Sequence, residues 1–175
     1  MEKVEFLVLK NLINNEEYLR KVLPFLKGEY FEETQYKIVF EEISSFVNEY
    51  NECPTKEVLK IESEKRKDIN QESYNQISNL IDHLDEIPVE FEWLVNTTEK
   101  WCRDRAIYLA LLESISIADG GNDKKTPDAI PSILSDALAV SFDNHVGHDY
   151  LEDYELRYES YHRKEGKIEF DLEYF

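Results

Sequence analysis

The sequence has few of the residues that end helices and form turns, with 5 glycines and 5 prolines among 175 residues. Because these two residue types mark turns and loops, their scarcity argues against a fold of many short strands. The hydrophobic fraction of 42%, with 11 tyrosines and 9 phenylalanines, is too high for a disordered chain and large enough for a stable core. We therefore predict a folded protein built from long elements.

Cysteine is also scarce. Cys53 and Cys102 each stand alone, with no C-x-x-C motif, which predicts reduced thiols in a cytoplasm and not a disulfide framework. No apolar run approaches the roughly 20 residues that a membrane span requires. The N-terminal segment is too short and too acidic for a signal peptide. We predict a soluble, cytoplasmic protein that makes no membrane contact.

Positive charge is in short supply, since 20 lysines and arginines face 38 aspartates and glutamates, for a net charge of −18. A nucleic-acid-binding face needs basic residues that displace counterions from phosphates. The surface as a whole should therefore repel DNA. We interpret the short basic clusters Lys65–Lys67 and Lys124–Lys125 as solvated charges in loops or at helix ends.

Helical periodicity dominates the first half of the chain. Asn15 and Asn70 are placed to cap helices, and Pro24 with Gly28 should end the second helix. A shorter helix is expected from Thr55 to about Arg66, with its inner side formed by Val58, Leu59 and Ile61. The clearest amphipathic helix is 34–50, whose apolar face comprises Tyr36, Val39, Phe40, Ile43, Phe46, Val47 and Tyr50.

A long helix is predicted from about residue 90 to residue 118, some 40 Å at about 1.5 Å per residue. Between Ala106 and Leu112 it is apolar on nearly every face, so every face must be covered. A domain of this size cannot easily do so alone, which implies another subunit. After a turn, a second helix to about residue 142 completes a helical hairpin. The predicted subunit interface consists of Trp101, Ile107, Leu109, Leu111, Leu112, Ile133 and Leu134.

The last third of the chain changes character. Asp149 and Glu152 match a variant of the capping box, and Gly166 follows the last turn of the helix that they begin. Tyrosine gives contact area while its hydroxyl stays wet, so a tyrosine-rich stripe suits an interface. The predicted docking residues of this linker helix are Tyr150, Leu151, Tyr154, Tyr158 and Tyr161.

From residue 166 to residue 175 the apolar period changes to two, which predicts a strand with no second strand nearby. We therefore expect the chain to be a fragment that ends where a β-containing domain begins. The predicted fold is all-α. Its expected organisation is a small helical bundle at 1–88, a helical hairpin at 89–142, a linker at 143–148, a linker helix at 149–165 and the start of a further domain at 166–175.

No segment predicts a catalytic, cofactor or metal site. The segment Gly121–Thr126 lacks the spacing of a phosphate-binding loop. His145 and His148, with Asp143 and Asp149, could be metal ligands, but a glycine-containing linker does not fix ligands well. The alternative is a solvated linker with local hydrogen bonds. Carboxylate pairs such as Glu41-Glu42 occur by chance in so acidic a chain.

The two tryptophans of the long helix, Trp93 and Trp101, also have two readings. They are interpreted as packing or interface residues, with a base-stacking platform as the alternative.

One stretch of the sequence resembles the replicative DNA helicases of T4-like phages, which are DnaB-type ring helicases. The similarity is most specific near the end of the chain, and its residues are Ala129-Ile130-Pro131, Ala137-Leu138, Ser141–Asp143, Val146–Tyr150, Asp153–Glu155, Arg157 and Tyr161. Weaker similarities occur earlier, at Glu29–Phe31, Val47–Tyr50, Pro54, Trp93–Val95, Thr98–Lys100 and Arg105-Ala106.

The resemblance implies the N-terminal domain and linker of a six-subunit helicase that moves 5′ to 3′ on single-stranded DNA inside the infected host cell. In that family the helical N-terminal domains pair in a collar and contact primase, and the linker helix packs on a neighbouring motor domain. A helicase loader is a further implied partner. The motifs for ATP and magnesium would lie beyond Phe175, so this fragment should carry no catalytic site, although the full-length protein would be an enzyme.

Two other classes of function compete with this reading. A free-standing acidic phage protein could mimic DNA or inhibit a host DNA-binding protein, and the net charge fits that role. A small hydrolase with an unrecognised carboxylate site has only the number of acids in its favour. A Walker A motif shortly after residue 175 in the reading frame would favour the helicase, and a stop codon would weaken it.

Overall fold

The computed structural model describes residues 3–85, 88–121 and 125–142, and within these ranges it contains seven α-helices and no strand. The all-α prediction is confirmed. Three single-turn 3₁₀ helices, at Leu23–Phe25, Gly28–Tyr30 and Pro127–Ala129, lie between them. The α-helices are α1 at Val4–Asn14, α2 at Glu16–Val22, α3 at Thr34–Tyr50, α4 at Lys56–Lys65, α5 at Gln71–Asp82, α6 at Phe91–Ala118 and α7 at Ile130–Leu138.

The helix starts follow from capping side chains. The Asn15 side chain accepts a hydrogen bond from the Tyr18 amide at 2.9 Å, and the Asn70 side chain accepts one from the Ser73 amide at 2.8 Å. Each bond satisfies an amide that the first turn leaves without a partner. Both predicted caps are confirmed. Thr55 caps α4 in the same way, and the Glu90 carboxylate caps α6.

The core lies where α1, α3, α5 and the first half of α6 meet. α3 contacts α1, α4 and α5, while α6 contacts α1 and α2. Most residues of this core come from the apolar stripe of an α-helix, as helical periodicity predicts, while Tyr30 and Leu84 come from the segments between α-helices. Its most deeply buried large side chains are Val8, Leu9, Leu12, Tyr18, Val22, Tyr30, Ile43, Leu59, Ile77, Ile81, Leu84 and Leu94.

Two sequence-based expectations about α4 and α7 are wrong. Ile61 was expected inside, but it is 52% exposed. α4 instead packs through Leu59 and Ser63, which are four residues apart, and a residue midway between two such positions points to the opposite side. The second helix of the hairpin ends at Leu138 and does not reach residue 142.

The early end of α7 has a tertiary cause. The Val140 carbonyl accepts a hydrogen bond from the Arg103 Nε at 3.0 Å, and the Phe142 ring stacks on Phe25 with 4.8 Å between ring centroids. These contacts draw the chain after Leu138 onto α6 and the Leu23–Phe25 turn, so its carbonyls do not continue the helix.

The hairpin and the earlier helices share one hydrophobic core. Buried residues of α6 and α7 belong to the same cluster as those of α1 to α5, and the described residues up to Phe142 form one compact unit. The boundary between 1–88 and 89–142 stays a prediction about function. The predicted linker, linker helix and strand, at 143–175, lie outside the described residues.

Candidate assembly surface

The first half of α6 is embedded in the core. Leu94 and Cys102 are fully buried. The Tyr18 hydroxyl lies 2.7 Å from the Thr98 Oγ1, which also donates to the Leu94 carbonyl at 2.8 Å. These bonds satisfy polar groups that burial would otherwise penalise. Burial raises the pKa of Tyr18 far above its ordinary value. The inner face of this half of α6 is therefore a structural element, while Trp93 on its outer face is 53% exposed.

The second half of α6 is covered on one side by α7. Small residues at Ala106, Ala110 and Ser114 recur every four residues and are buried, which lets the two helices approach closely. The Ser114 Oγ donates back to the Ala110 carbonyl at 2.7 Å, so its hydroxyl is satisfied within α6. Ala137 of α7 is buried against this row. The predicted helical hairpin is therefore present in the structure.

The opposite side of this half is left open to solvent. Its apolar residues are spaced at steps of three, one and three, which places them on one face of a helix. They are large, and each is about half exposed. We name this set the α6 stripe, and it consists of Tyr108 at 51% exposure, Leu111 at 47%, Leu112 at 48% and Ile115 at 57%.

A fixed arginine borders the α6 stripe at its N-terminal end. Arg105 donates to the Tyr30 carbonyl at 2.8 Å and pairs with Glu32. Its guanidinium also lies 5.1 Å from the centroid of the Tyr108 ring, within the range of a cation–π contact. Arg105 therefore ties the stripe to the turn before α3. Glu113 directly follows Leu112 of the stripe in the sequence, and its carboxylate is paired with the Lys125 Nζ at 2.7 Å.

The seven predicted interface residues fall into two groups in the structure. Leu111 and Leu112 belong to the α6 stripe. The other five are partly buried against the core of this same chain, and Trp101 packs edge-on against Phe31 with 5.1 Å between centroids. Those five are Trp101, Ile107, Leu109, Ile133 and Leu134. Their role between subunits stays a prediction.

Two members of the α6 stripe, Tyr108 and Ile115, were not among the predicted interface residues. The spacing alone could have found them, because they lie three residues before Leu111 and three after Leu112. The predicted docking residues Tyr150, Leu151, Tyr154, Tyr158 and Tyr161 lie outside the described part of the chain.

Cys102 is buried and Cys53 is partly exposed, and both thiols have raised pKa values. Burial raises the pKa of Cys102 to about 12, and burial together with nearby Glu16 raises the pKa of Cys53. A thiol with a raised pKa is a poor nucleophile at neutral pH because little thiolate is present. Neither cysteine is therefore a candidate for nucleophilic catalysis.

Residues 3–85, 88–121 and 125–142 contain no group of three histidine, cysteine, aspartate or glutamate side chains that could hold a metal ion. His145 and His148 lie outside those ranges. Among the helices that the structure describes, none is long and apolar enough to cross a membrane.

Comparison with known proteins identifies a relative. The chain is 37% identical over 174 residues to the DnaB-like replicative helicase of Enterobacteria phage T4. The match covers 95% of this chain but 36% of the length of that protein. No family model matches the chain. The resemblance predicted from the sequence is confirmed, and the chain spans about a third of the length of the relative that it matches.

Proposed function

We propose that this chain is the N-terminal domain of a phage replicative 5′–3′ DNA helicase that acts in DNA replication, and that its task is assembly. The relationship to the phage T4 helicase over 95% of this chain supports the proposal. The observation that carries the assembly role is the α6 stripe, a row of large apolar side chains on an otherwise strongly charged protein. In our proposal the stripe contacts a second copy of the chain, within a six-subunit ring when the protein is full length.

The size of the α6 stripe predicts a weak contact. Fully burying a leucine-sized side chain contributes about 1.5–3 kcal/mol. Covering the exposed half of four such side chains on each of two copies therefore gives on the order of 6–12 kcal/mol. Association itself costs an estimated 4–15 kcal/mol in lost freedom. The two quantities nearly cancel, so the isolated chain should associate only at high concentration.

Charge opposes self-association. Each copy carries a net charge of −18, and like charges repel until salt screens them over about 10 Å at 0.1 M ionic strength. We expect dimerisation through the α6 stripe to strengthen as salt is raised. An interface held by ion pairs would weaken instead.

The remaining parts of the proposal concern the full-length protein. ATP and magnesium would be bound by a motor domain that follows this chain. Primase and a helicase loader are the proposed protein partners, and single-stranded DNA would pass through the ring. The tyrosine-faced segment 149–165 is proposed to dock on the motor domain of a neighbouring subunit. The alternative of a DNA mimic gains no support from the comparison, since the relative is a helicase.

Sedimentation equilibrium over a wide concentration range tests the assembly role. We expect the unmodified chain to show a concentration-dependent mass increase and the variant Ile115→Ser to shift the dissociation constant upward about tenfold. Ile61→Ser is the matched control, because Ile61 is also an isoleucine about half exposed but lies on α4. A monomer at every concentration, or an equal effect of both variants, would contradict the proposed interface.

A further inference from the structure

An apolar pocket of about 270 Å³ lies between α2 and the end of α3. Its apolar side chains come from Leu19, Leu23, Pro24 and Val47. α3 ends at Asn51, whose backbone adopts a left-handed conformation with φ of 55°. This turn directs the chain back across the pocket, so that the next two residues, Glu52 and Cys53, form part of its wall.

The wall of the pocket carries an excess of negative charge. Glu16 and Glu52 both line it, together with one cation, Arg20. Arg20 is already engaged, since its guanidinium pairs with the Glu16 carboxylate at 2.7 Å. Glu52 is exposed and makes no ion pair within the part of the chain that the structure describes. Glu17, next to Glu16, is exposed as well.

The volume of the pocket limits what can enter. Sites for small-molecule ligands and cofactors usually enclose about 300–1,000 Å³, so this pocket lies below their range. It has room for one apolar side chain from another polypeptide. A mostly apolar floor beside a carboxylate fits an apolar side chain that is followed or preceded by lysine or arginine.

Charge complementarity selects the partner. A second copy of this chain would bring another net charge of −18, and nucleic acid is itself a polyanion. Segment 143–175 is rich in aspartate and glutamate. A basic polypeptide is attracted by the field of the whole protein and then by Glu52 at the pocket.

We infer that the pocket between α2 and α3 is a docking site for a basic segment of another protein, which inserts one leucine-sized side chain beside Glu52. The inference rests on α2 and α3 and uses neither the α6 stripe nor the proposed helicase function.

Fluorescence anisotropy with defined peptides tests the inference on the full chain. The probe is a fluorescein-labelled peptide of sequence Gly-Lys-Lys-Leu-Lys-Lys-Gly, compared with a peptide that has serine in place of leucine and the same charge. We expect the leucine peptide to bind about tenfold more tightly, because only it fills the pocket. Glu52→Gln should weaken its binding about threefold, whereas the control Glu72→Gln, which removes the same charge from exposed Glu72 on α5, should change it little.

Alkylation of Cys53 shows where the peptide binds. In the folded chain iodoacetamide at pH 8.5 should modify Cys53, which is partly exposed, and spare Cys102, which is buried. We expect the leucine peptide to slow modification of Cys53 several-fold. Equal binding of both peptides with no protection of Cys53 would mean attraction to the acidic surface in general and would overturn the inference. Equal binding of a leucine peptide with glutamates in place of lysines would overturn the choice of a basic partner.

Discussion

The two halves of α6 both carry large apolar residues but have different surroundings. Both are rich in large apolar residues, yet Leu94 in the first half is buried from solvent and Leu112 in the second half is 48% exposed. The first half packs into the core, where Thr98 meets Tyr18 of α2, whereas α7 covers one side of the second half. The comparison teaches that apolar content alone does not locate a core, since what matters is how many neighbours the fold provides.

The largest effect is expected from a matched pair of truncations, one in each half of α6. Leu94→Ala should lower the free energy of unfolding by about 2–5 kcal/mol, because it opens a cavity in the core. Leu112→Ala removes the same atoms from a half-exposed site and should cost under about 1 kcal/mol. Urea denaturation of both variants at low protein concentration measures the difference. Equal losses would show that the second half of α6 is covered in the monomer.

The next test removes a polar contact from the first half. Thr98→Val deletes the hydroxyl beside Tyr18 and leaves the buried Tyr18 hydroxyl without this partner, which should cost about 1–3 kcal/mol. Adding Tyr18→Phe removes the stranded hydroxyl and should recover part of the loss. Thermal or urea unfolding of the two single variants and the double variant forms a double-mutant cycle. A purely additive cycle would mean that the two hydroxyls do not interact.

A smaller effect is expected from Glu5, a buried carboxylate on α1. Burial raises the pKa of this carboxyl group, and a hydrogen bond from the Glu32 amide opposes part of that rise. A raised carboxyl pKa means that the folded state holds its proton at higher pH than the unfolded chain, so this group destabilises the fold at neutral pH. As pH falls through the folded pKa toward the unfolded value, that destabilisation disappears.

The variant Glu5→Gln has no titrating carboxyl group at this position, so it is the reference for the pH dependence of the unfolding free energy. We expect the unmodified chain to gain stability relative to Glu5→Gln between about pH 7 and pH 4.5, measured as the difference in unfolding free energy. A constant difference across that range would show that Glu5 has the same pKa in both states.

The smallest effect should come from removing a surface charge on the second half of α6. Glu113 and Lys125 form an ion pair that is partly open to solvent, and such pairs contribute about 0–1 kcal/mol. Glu113→Gln should therefore change the unfolding free energy by less than about 1 kcal/mol, and the change should shrink in high salt. A loss as large as that of Thr98→Val would mean that this pair holds the hairpin together.

Local signals predicted much of the fold. Asn15 and Asn70 each start a helix because their side chains satisfy amides a few residues away, and such contacts are visible in the sequence. The face of α3 was predicted for the same reason, since helical periodicity needs no information about distant residues, except that Tyr50 at the end of the helix was expected inside and is 56% exposed. Ile61 shows the limit of this reasoning. Whether its side chain is buried or exposed depends on which other helices pack against α4, and the local sequence does not contain that information.

The candidate surface was predicted only in part. Leu111 and Leu112 are exposed as an interface requires, but Trp101 packs on Phe31 of its own chain, a contact across 70 positions in sequence. The end of α7 depends likewise on the bond from Arg103 to Val140. Long-range contacts of this kind decide which apolar residues are left over for a partner, and periodicity does not contain them.

The stacking of Phe142 on Phe25 has a mechanical consequence. Tension applied to the chain beyond Phe142 would load this aromatic pair and the Arg103–Val140 bond before it reached the backbone of α7. Because Phe25 follows α2 and Arg103 belongs to α6, the force would be divided between two separate parts of the fold. The hairpin would then be shielded from unwinding at its last turn for as long as these two attachments hold.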